Sequence, residues 1–252
     1  MNRAAGKWLT PLAMVVMALG CGATEGAAKP QWLVVVSTDA PVPQIGDRLL
    51  VELLDNEGQI ACTNCRLDAA VSSAGIWDFG VEASPNAVTV RVRLYRGDHV
   101  GSDGQPLPST TIDQMGVLPA IGDEVRRVGI HLVLDCISRP ASPAKAKTCL
   151  GADHYEEDLP TLQDPEDHGE PKSEGTSHYL AEIKRECPAL ASIPTDMTCV
   201  PGSLFFLGDS LAPVPHTDVN AATTPEQLVG LNSFLIDRNE VTVAEFLKTM
   251  DI

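Results

Sequence analysis

Basic residues are scarce in this chain relative to acidic ones. Its 252 residues contain 18 Lys and Arg against 34 Asp and Glu, which gives a formal net charge of −16. No cluster of Lys and Arg interrupts this excess of acid. Because a protein neutralises nucleic-acid phosphates with Lys and Arg, the composition argues against a nucleic-acid partner.

Long apolar runs are also missing after the first twenty residues. A transmembrane helix needs about 18 or more consecutive apolar residues, so we expect none in the remainder of the chain. Gly and Pro number 20 and 19, too few for a low-complexity chain. With 44% hydrophobic residues, the sequence is typical of an acidic globular protein.

The N-terminus has the pattern of an export signal. Arg3 and Lys7 give it a positive start, and an apolar run over 9–19 follows. This run is too short to span a bilayer as a permanent helix. We therefore predict a signal peptide over residues 1–20, with a buried helix as the alternative.

Residues 18–21 have the sequence Ala-Leu-Gly-Cys, which resembles a bacterial lipobox. The resemblance implies that Cys21 is lipidated and becomes the first residue of the mature protein, with 21–30 as a tether to a membrane. An ordinary secretory signal with a chance cysteine is the alternative. We expect a cell-envelope protein, periplasmic or surface-exposed, at the outer membrane because Gly22 rather than Asp follows the cysteine.

The remaining cysteines are even in number, which in an exported protein indicates disulfides. Their clustering along the chain favours three local pairs, namely Cys62 with Cys65, Cys136 with Cys149, and Cys187 with Cys199.

The close pair Cys62 and Cys65 has two alternative interpretations, a redox pair and half of a zinc site. A zinc site needs a second close pair of Cys or His, which the sequence lacks. A thioredoxin-like motif opens a helix after a strand, whereas the surroundings here have an all-β pattern.

Short strands separated by turn residues are predicted over 31–150. Apolar and polar residues alternate over 88–96 and 127–135, and apolar runs occupy 32–37 and 47–55. This pattern predicts a mainly β fold, with an antiparallel Ig-like or prealbumin-like β-sandwich as the N-terminal domain. We expect Trp77 and Phe79 to be core residues and His131 to be an ordinary surface residue.

A strongly acidic segment follows the predicted sandwich. Residues 151–175 contain nine Asp and Glu, one Lys and three Pro. Self-repulsion and the lack of apolar residues favour an extended linker over 151–176. His154, His168 and His178 lie among these carboxylates and suggest metal binding as an alternative, but their spacing matches no common ligand pattern.

Two short motifs occur near the C-terminus. Residues 197–208 have the sequence Met-Thr-Cys-Val-Pro-Gly-Ser-Leu-Phe-Phe-Leu-Gly, and residues 234–242 have Phe-Leu-Ile-Asp-Arg-Asn-Glu-Val-Thr. Together they resemble the opening of the formylglycine-generating enzyme (sulfatase-modifying factor) domain. Its first pattern is Val-Pro-Gly-Gly-x-Phe-x-Met-Gly, and its second is Phe-Tyr-Ile-Asp-Lys/Arg-Thr-Glu-Val-Thr, followed by Asn. The positions in register with the first pattern are Pro201, Gly202, Phe205 and Gly208.

The match covers 197–252, about a fifth of the chain, and departs from the family at Ser203, Leu207 and Val243. It implies that 177–252 is the truncated start of an α+β domain of this family. The local pattern adds a short helix within 177–186 and a helical turn over 224–230. A capping box of Thr242 and Glu245 predicts a further helix.

The resemblance implies oxidation of a sulfatase cysteine to formylglycine with copper and oxygen, with calcium as a structural ion. Relatives are non-haem iron enzymes or non-catalytic ligand-binding proteins. The family uses a cysteine pair late in its domain, and Cys187 and Cys199 do not match it. We therefore assign no catalytic, cofactor-binding or metal residue, and expect no cofactor in this chain.

Two functions are consistent with these patterns. The chain is either the N-terminal part of an exported oxidative modifying enzyme, catalytically incompetent by itself, or a non-catalytic binding or structural lipoprotein. Both imply a membrane contact through the lipid and leave room for a protein or peptide partner.

Overall fold

The computed structural model of the protein describes residues 29–71, 75–82, 84, 86–164, 177–208 and 226–250. The predicted signal peptide, Cys21, most of the tether and the linker residues 165–176 lie outside the described residues.

The N-terminal unit is built from short strands, in agreement with the predicted pattern. The first seven described strands are β1 (Gln31–Thr38), β2 (Arg48–Leu54), β3 (Arg66–Ala70), β4 (Ile76–Glu82), β5 (Val88–Tyr95), β6 (Ile112–Leu118) and β7 (Val125–Leu132). The mainly β fold class is thereby confirmed. Strands β3 and β6 were not predicted, because neither shows a clear alternation of apolar and polar residues.

These strands form two sheets, one of three strands in the order β4-β1-β7 and one of four in the order β3-β2-β5-β6. Neighbouring strands are antiparallel except β1 and β7, which are parallel. The prediction of an antiparallel sandwich was therefore wrong for this pair. A parallel neighbour requires a long crossover connection, and here the chain from β2 to β6 supplies it.

One apolar core lies between the two sheets. Its fully buried members include Val34 of β1, Val90 and Val92 of β5, and Val128 of β7. Val90 and Val92 are two residues apart, because successive side chains in a strand point to opposite faces and only every second one faces the core. Trp77 and Phe79 of β4 are half-buried and pack against this core, as expected.

The N-terminal unit continues past residue 150. Strand β9 (Glu157–Asp158) pairs with β8 (Lys147–Thr148), and Thr161 bridges to Val117 of β6. Leu162 is buried against Gly116, where a Cβ would collide with it. The predicted linker over 151–176 therefore began too early, because a few apolar residues among the acids are enough to hold this segment on the sheet.

The C-terminal unit consists of two small strand pairs and two helices. Its elements are α1 (His178–Ala181), β10 (Met197–Val200), β11 (Ser203–Leu207), β12 (Gln227–Leu231), β13 (Phe234–Asp237) and α2 (Val243–Thr249). Strand β10 pairs with β13, and β11 pairs with β12.

Local signals predicted part of this unit. The capping box at the start of α2 is present, with Thr242 Oγ1 accepting from Glu245 N and Glu245 Oε2 accepting from Thr242 N. The helical turn predicted over 224–230 was wrong, since β12 begins at Gln227. Pairing with β11 satisfies the backbone there, and this long-range interaction overrides the local capping signal.

The two units share the core and are joined by buried polar contacts. Leu180 of α1 and Leu204 of β11 belong to the same buried apolar cluster as the sandwich residues. Asp135 accepts hydrogen bonds from Ser177 Oγ at 2.9 Å and from His178 N at 3.0 Å. The C-terminal unit is therefore packed onto the sandwich.

The three predicted disulfides are present. They join Cys62 to Cys65, Cys136 to Cys149, and Cys187 to Cys199. The second is buried within the sandwich core, whereas the first lies in an exposed turn before β3.

Candidate functional site

An apolar cavity opens between β3 and β4, which are edge strands of the two sheets. We call it the edge cleft; its volume is about 390 Å³, within the range of small-ligand sites. Both sheets contribute to its wall, through Val51, Leu53 and Leu67 on one side and Trp32, Phe79 and Val81 on the other. The cleft is therefore an unfilled part of the space between the sheets.

Trp32 lines the cleft and is fully buried, yet its indole Nε1 has no hydrogen-bond partner among the described residues. Trp77 Nε1, on the adjacent strand β4, is also buried and unpaired within the described part of the chain. A buried unpaired donor costs about 1–3 kcal/mol, so native proteins contain few of them. One of the two donors here, Trp32 Nε1, belongs to a residue of the cleft wall.

The disulfide of Cys62 and Cys65 lies at the rim of the cleft, and Asn64 between them also lines it. Cys65 N donates to Cys62 O at 3.1 Å, which closes the chain into a tight turn. Strand β3 follows this turn directly, so the motif does not open a helix as a thioredoxin-like redox pair would. In this structure the disulfide fixes where β3 begins.

Both strands at the cleft have a free edge. Strand β3 pairs only with β2, and β4 pairs only with β1, among the described strands. In an antiparallel pair alternate residues direct N–H and C=O away from the partner. The cleft is therefore flanked by backbone groups that are available to a further strand.

A buried ion network lies on the other face of the cleft wall. Glu52 of β2 contacts Arg93 Nη2 at 2.6 Å, and the partly exposed Arg66 of β3 at 3.7 Å. Burial lowers the pKa of the Arg93 guanidinium, and the neighbouring charge of Arg91 lowers it further. Glu52 therefore offsets a costly buried cation and also contacts the strand that borders the cleft.

Arg91 and Asp113 form the second pair of this network. Arg91 donates to both carboxylate oxygens of Asp113, from Nε at 3.0 Å and from Nη2 at 2.6 Å. Burial lowers the pKa of Arg91, but the hydrogen bond and charge of Asp113 outweigh it and raise that pKa above its ordinary value. The same carboxylate accepts from Ala141 N at 3.1 Å. This contact holds residues 133–164, which we call the covering segment, on the sheet.

His131 differs from the expected surface residue. It is half-buried on β7, and its Nδ1 lies 2.9 Å from Ser37 Oγ of β1. Burial lowers the pKa of His131, while the nearby charge of Asp39 acts in the opposite direction. Although the three residue types match a hydrolase triad, Ser37 is buried and Asp39 accepts from Leu134 N. This arrangement therefore offers a substrate no access to the serine.

His99 and Glu226 form a polar joint between the units. His99 Nε2 lies 2.9 Å from Glu226 Oε1, and Nδ1 lies 2.7 Å from Asp98 Oδ1. Each ring nitrogen of His99 thus lies within hydrogen-bond distance of a carboxylate oxygen. Phe206 stacks beside the ring of His99, which shields the joint from solvent. We assign the joint a structural role.

The two motifs of the family resemblance span strands and the turns beside them: the first runs through β10 and β11, and the second begins with β13. A Cβ at Gly202 would lie 2.8 Å from Leu231 O and 2.9 Å from Ser233 N, so only glycine fits there. Gly208 has φ of 105°, a conformation that glycine adopts readily. Both glycines are thus required by the local backbone, whatever the function of the unit.

The chemistry that the resemblance implies does not fit the described residues. Every cysteine among them is in a disulfide, so they offer no free thiol for copper. In the same part of the chain, no group of three or more His, Cys, Asp and Glu could hold a metal ion. Cys187 lies in the connection between α1 and β10 and is bonded to Cys199 of β10.

The edge cleft was not predicted from the sequence. Trp77 and Phe79 were expected to be core residues, but β3 has too few apolar residues to be recognised as a strand. The cleft follows from the way the two edges approach each other, which no local pattern shows. Neither helix of the described residues has the length and apolar character that crossing a bilayer requires.

Removing one member of the ion network tests its energetic role. We expect Glu52→Leu to lower the free energy of unfolding by about 3 kcal/mol, because Arg93 is left buried without its counter-charge. Adding Arg93→Met should recover most of the loss, since the pair is then replaced by apolar groups. Urea denaturation measures both changes. Asp158→Asn, in an exposed pair with Lys147, is the control and should leave the stability unchanged. An equally large loss in the double variant would contradict the network as described.

Comparison with known proteins gives no match to any protein-family model and no match among curated proteins. The resemblance to the formylglycine-generating enzyme family therefore rests on the two motifs alone.

Proposed function

We propose that this chain is a non-catalytic binding protein of the bacterial cell envelope and that the edge cleft is its binding site. The observation that carries the proposal is an apolar cavity of about 390 Å³ that opens between two strand edges, neither of which has a further strand partner among the described residues. Leu67 on its wall keeps 47% of its surface exposed, so the cavity is accessible. A ligand that buried these side chains would gain roughly 25 cal/mol for each Å² of apolar surface removed from water.

The proposed location rests on the sequence around Cys21. A short signal with basic residues and a lipobox-like end supports export and lipid attachment. Acyl chains contribute about 0.8 kcal/mol for each buried CH₂, so several chains anchor a protein firmly. In this proposal the sandwich is held at a membrane surface, with the cleft facing the periplasm or the exterior.

The C-terminal unit is proposed as the beginning of a formylglycine-generating-enzyme-like domain with no catalytic role in this chain. The support is the order of the two motifs, one on β10 and β11 and the other on β13 and the start of α2. The close packing at Gly202 gives the Pro-Gly motif a structural reason. Because the described cysteines are all paired, we propose binding rather than oxidation as the function.

Filling the cleft tests the main proposal. A neutral apolar fluorophore such as Nile red should bind the purified protein with one saturable site, because the cleft removes it from water. Leu67→Trp places a larger side chain on the cleft wall and should weaken this binding about tenfold, which is roughly 1.4 kcal/mol. Fluorescence titration measures the dissociation constant of each variant.

The matched control is Val125→Trp on β7, which is exposed to 46% and does not line the cleft. It should bind the dye like the unsubstituted protein. A second control, Phe246→Ser, removes an exposed apolar side chain from α2. Dye binding that falls with Phe246→Ser but not with Leu67→Trp would place the site on α2 and contradict the proposal.

Lipid attachment is tested by substitution of Cys21. Cells that express the full chain should incorporate labelled palmitate into it, and Cys21→Ser should abolish the label because the acceptor sulfur is lost. Fractionation should place the unsubstituted protein with membranes. An unlabelled, soluble protein outside the cytoplasm would show that residues 18–21 do not form a lipobox.

The enzyme interpretation is tested by direct assay. We expect the purified chain, with copper, oxygen and a cysteine-containing sulfatase peptide, to form no formylglycine, because it supplies no free cysteine pair within its described residues. Mass spectrometry of the peptide is the measurement. Turnover that a chelator abolishes would make the chain an enzyme and overturn the non-catalytic assignment.

A further inference from the structure

We propose that the edge cleft binds an extended peptide of another protein, which adds to β4 as an antiparallel strand and alternates apolar and basic residues. This inference rests on the proposed function of the cleft and adds the class of its ligand. Strand β4 (Ile76–Glu82) has seven residues, so a peptide of about the same length would cover it.

The free edge of β4 supplies backbone hydrogen bonds. Thr38 N donates to Gly75 O, which places Thr38 and Gly75 in a hydrogen-bonded pair. The period of two then directs the N–H and C=O groups of every second residue toward β1 and those of the others away from it. The residues directed away are Ile76, Asp78, Gly80 and Glu82, and no backbone partner for them exists among the described residues.

The inner face of β4 supplies apolar contacts. Trp77, Phe79 and Val81 point toward the space between the sheets, and Phe79 and Val81 line the cleft. A strand added beside β4 would direct every second side chain into this cavity. Apolar residues at these positions of the peptide would fill it.

The outer face of β4 supplies negative charge. Asp78 and Glu82 are exposed, and within the described residues neither forms a salt bridge. Gly80 lies between them and adds no side chain to this face. Opposite charges directly across a strand pair attract, so Lys or Arg at the outward positions of the peptide would be complementary.

The same charges disfavour a second copy of this chain as the occupant. Antiparallel pairing of β4 with β4 of another copy would bring acidic residues of both strands onto one face. Like charges placed across a strand pair destabilise it, and charged edges are a common protection against self-association. A foreign basic strand meets no such repulsion.

The test uses fluorescence polarisation of a labelled seven-residue peptide in which lysine and valine alternate, with lysine at both ends. We expect saturable binding that weakens as salt is raised. A peptide with glutamate in place of lysine, and one of the same composition without alternation, should each bind about tenfold more weakly or worse. Equal binding of either peptide would overturn the proposal.

Backbone methylation tests strand addition directly. In antiparallel pairing with β4, the N–H groups of the lysine residues face β4 and those of the valine residues face away. N-methylation at the lysines should therefore reduce affinity at least about tenfold, since several hydrogen bonds are lost. N-methylation at the valines should leave most of the affinity. Loss that is equal for the two peptides, or greater for the valine set, would overturn the geometry.

Substitution of Gly80 gives the matched test on the protein. Gly80→Pro removes one outward N–H from an edge strand, where proline is tolerated, and should weaken the peptide by several-fold. Gly80→Ala is the control, because an added Cβ meets only the flexible end of Gln31, at 3.0 Å. It should bind as the unsubstituted protein does. Equal affinity of the proline and alanine variants would count against strand addition at β4.

The outcomes separate this inference from the proposed function. If the apolar dye binds in a Leu67-dependent manner and the peptides do not bind, the cleft is a small-molecule site and the peptide proposal is wrong. If neither binds, the function of the cleft is wrong as well. If the peptide-free protein is dimeric in sedimentation and Gly80→Pro makes it monomeric, the occupant is a second copy and the proposal is overturned.

Discussion

Mutual burial of one apolar face from each sheet is the constraint on which the rest of the structure depends. Val34, Val92 and Ile130 come from three strands of two sheets, yet all lie in one cluster. Since side chains alternate along a strand, fixing these residues inward forces their neighbours outward. Whether other parts of the chain cover these outward residues then decides which faces of the sandwich are buried and which are exposed to solvent. On β2, β5 and β6 they are covered by later parts of the chain, and on β3 and β4 they are left exposed.

The covered face explains the buried ions and the extended N-terminal unit. Glu52 and Arg93 are outward-facing on the sheet, and residues 133–164, which follow β7, remove much of this face from water. Burying Glu52 or Arg93 alone would be costly, so each charge is tolerated in the interior only because the other neutralises it. Met115 N donates to Thr148 Oγ1, and the disulfide of Cys136 and Cys149 fixes the covering segment. Residues 151–164 of the acidic segment, which would be extended in isolation, are therefore held on the sheet.

The edge cleft of the sandwich and the exposed face of α2 in the C-terminal unit are different kinds of surface. The edge cleft combines a shaped apolar wall with strand edges and acids that have no partner among the described residues, and these features together favour the ligand that we propose. The helix α2, by contrast, exposes the apolar side chains of Val243, Phe246 and Met250 to solvent. The units are joined by Asp135 with Ser177 and by His99 with Glu226, so the sandwich acts as the support for the smaller unit.

The sequence alone determined the features that depend on local chemistry. Period-two patterns placed β5 and β7, and apolar runs placed β1 and β2. The spacing of the cysteines indicated all three disulfides, and Thr242 with Glu245 fixed the start of α2. Strands and pairs of this kind are specified by neighbours in the chain, so they can be recognised without the fold. Export and the family resemblance also come from the sequence and remain predictions.

Only the tertiary structure decided what depends on contacts between distant residues. It made residues 227–231 a strand rather than a helical turn, because β11 offered them backbone partners. The parallel neighbour of β1, the half-burial of His131 and the burial of β6 on both faces likewise depend on elements far apart in sequence. The edge cleft is the clearest case, because it exists only where two strand edges from different sheets fail to close over the core.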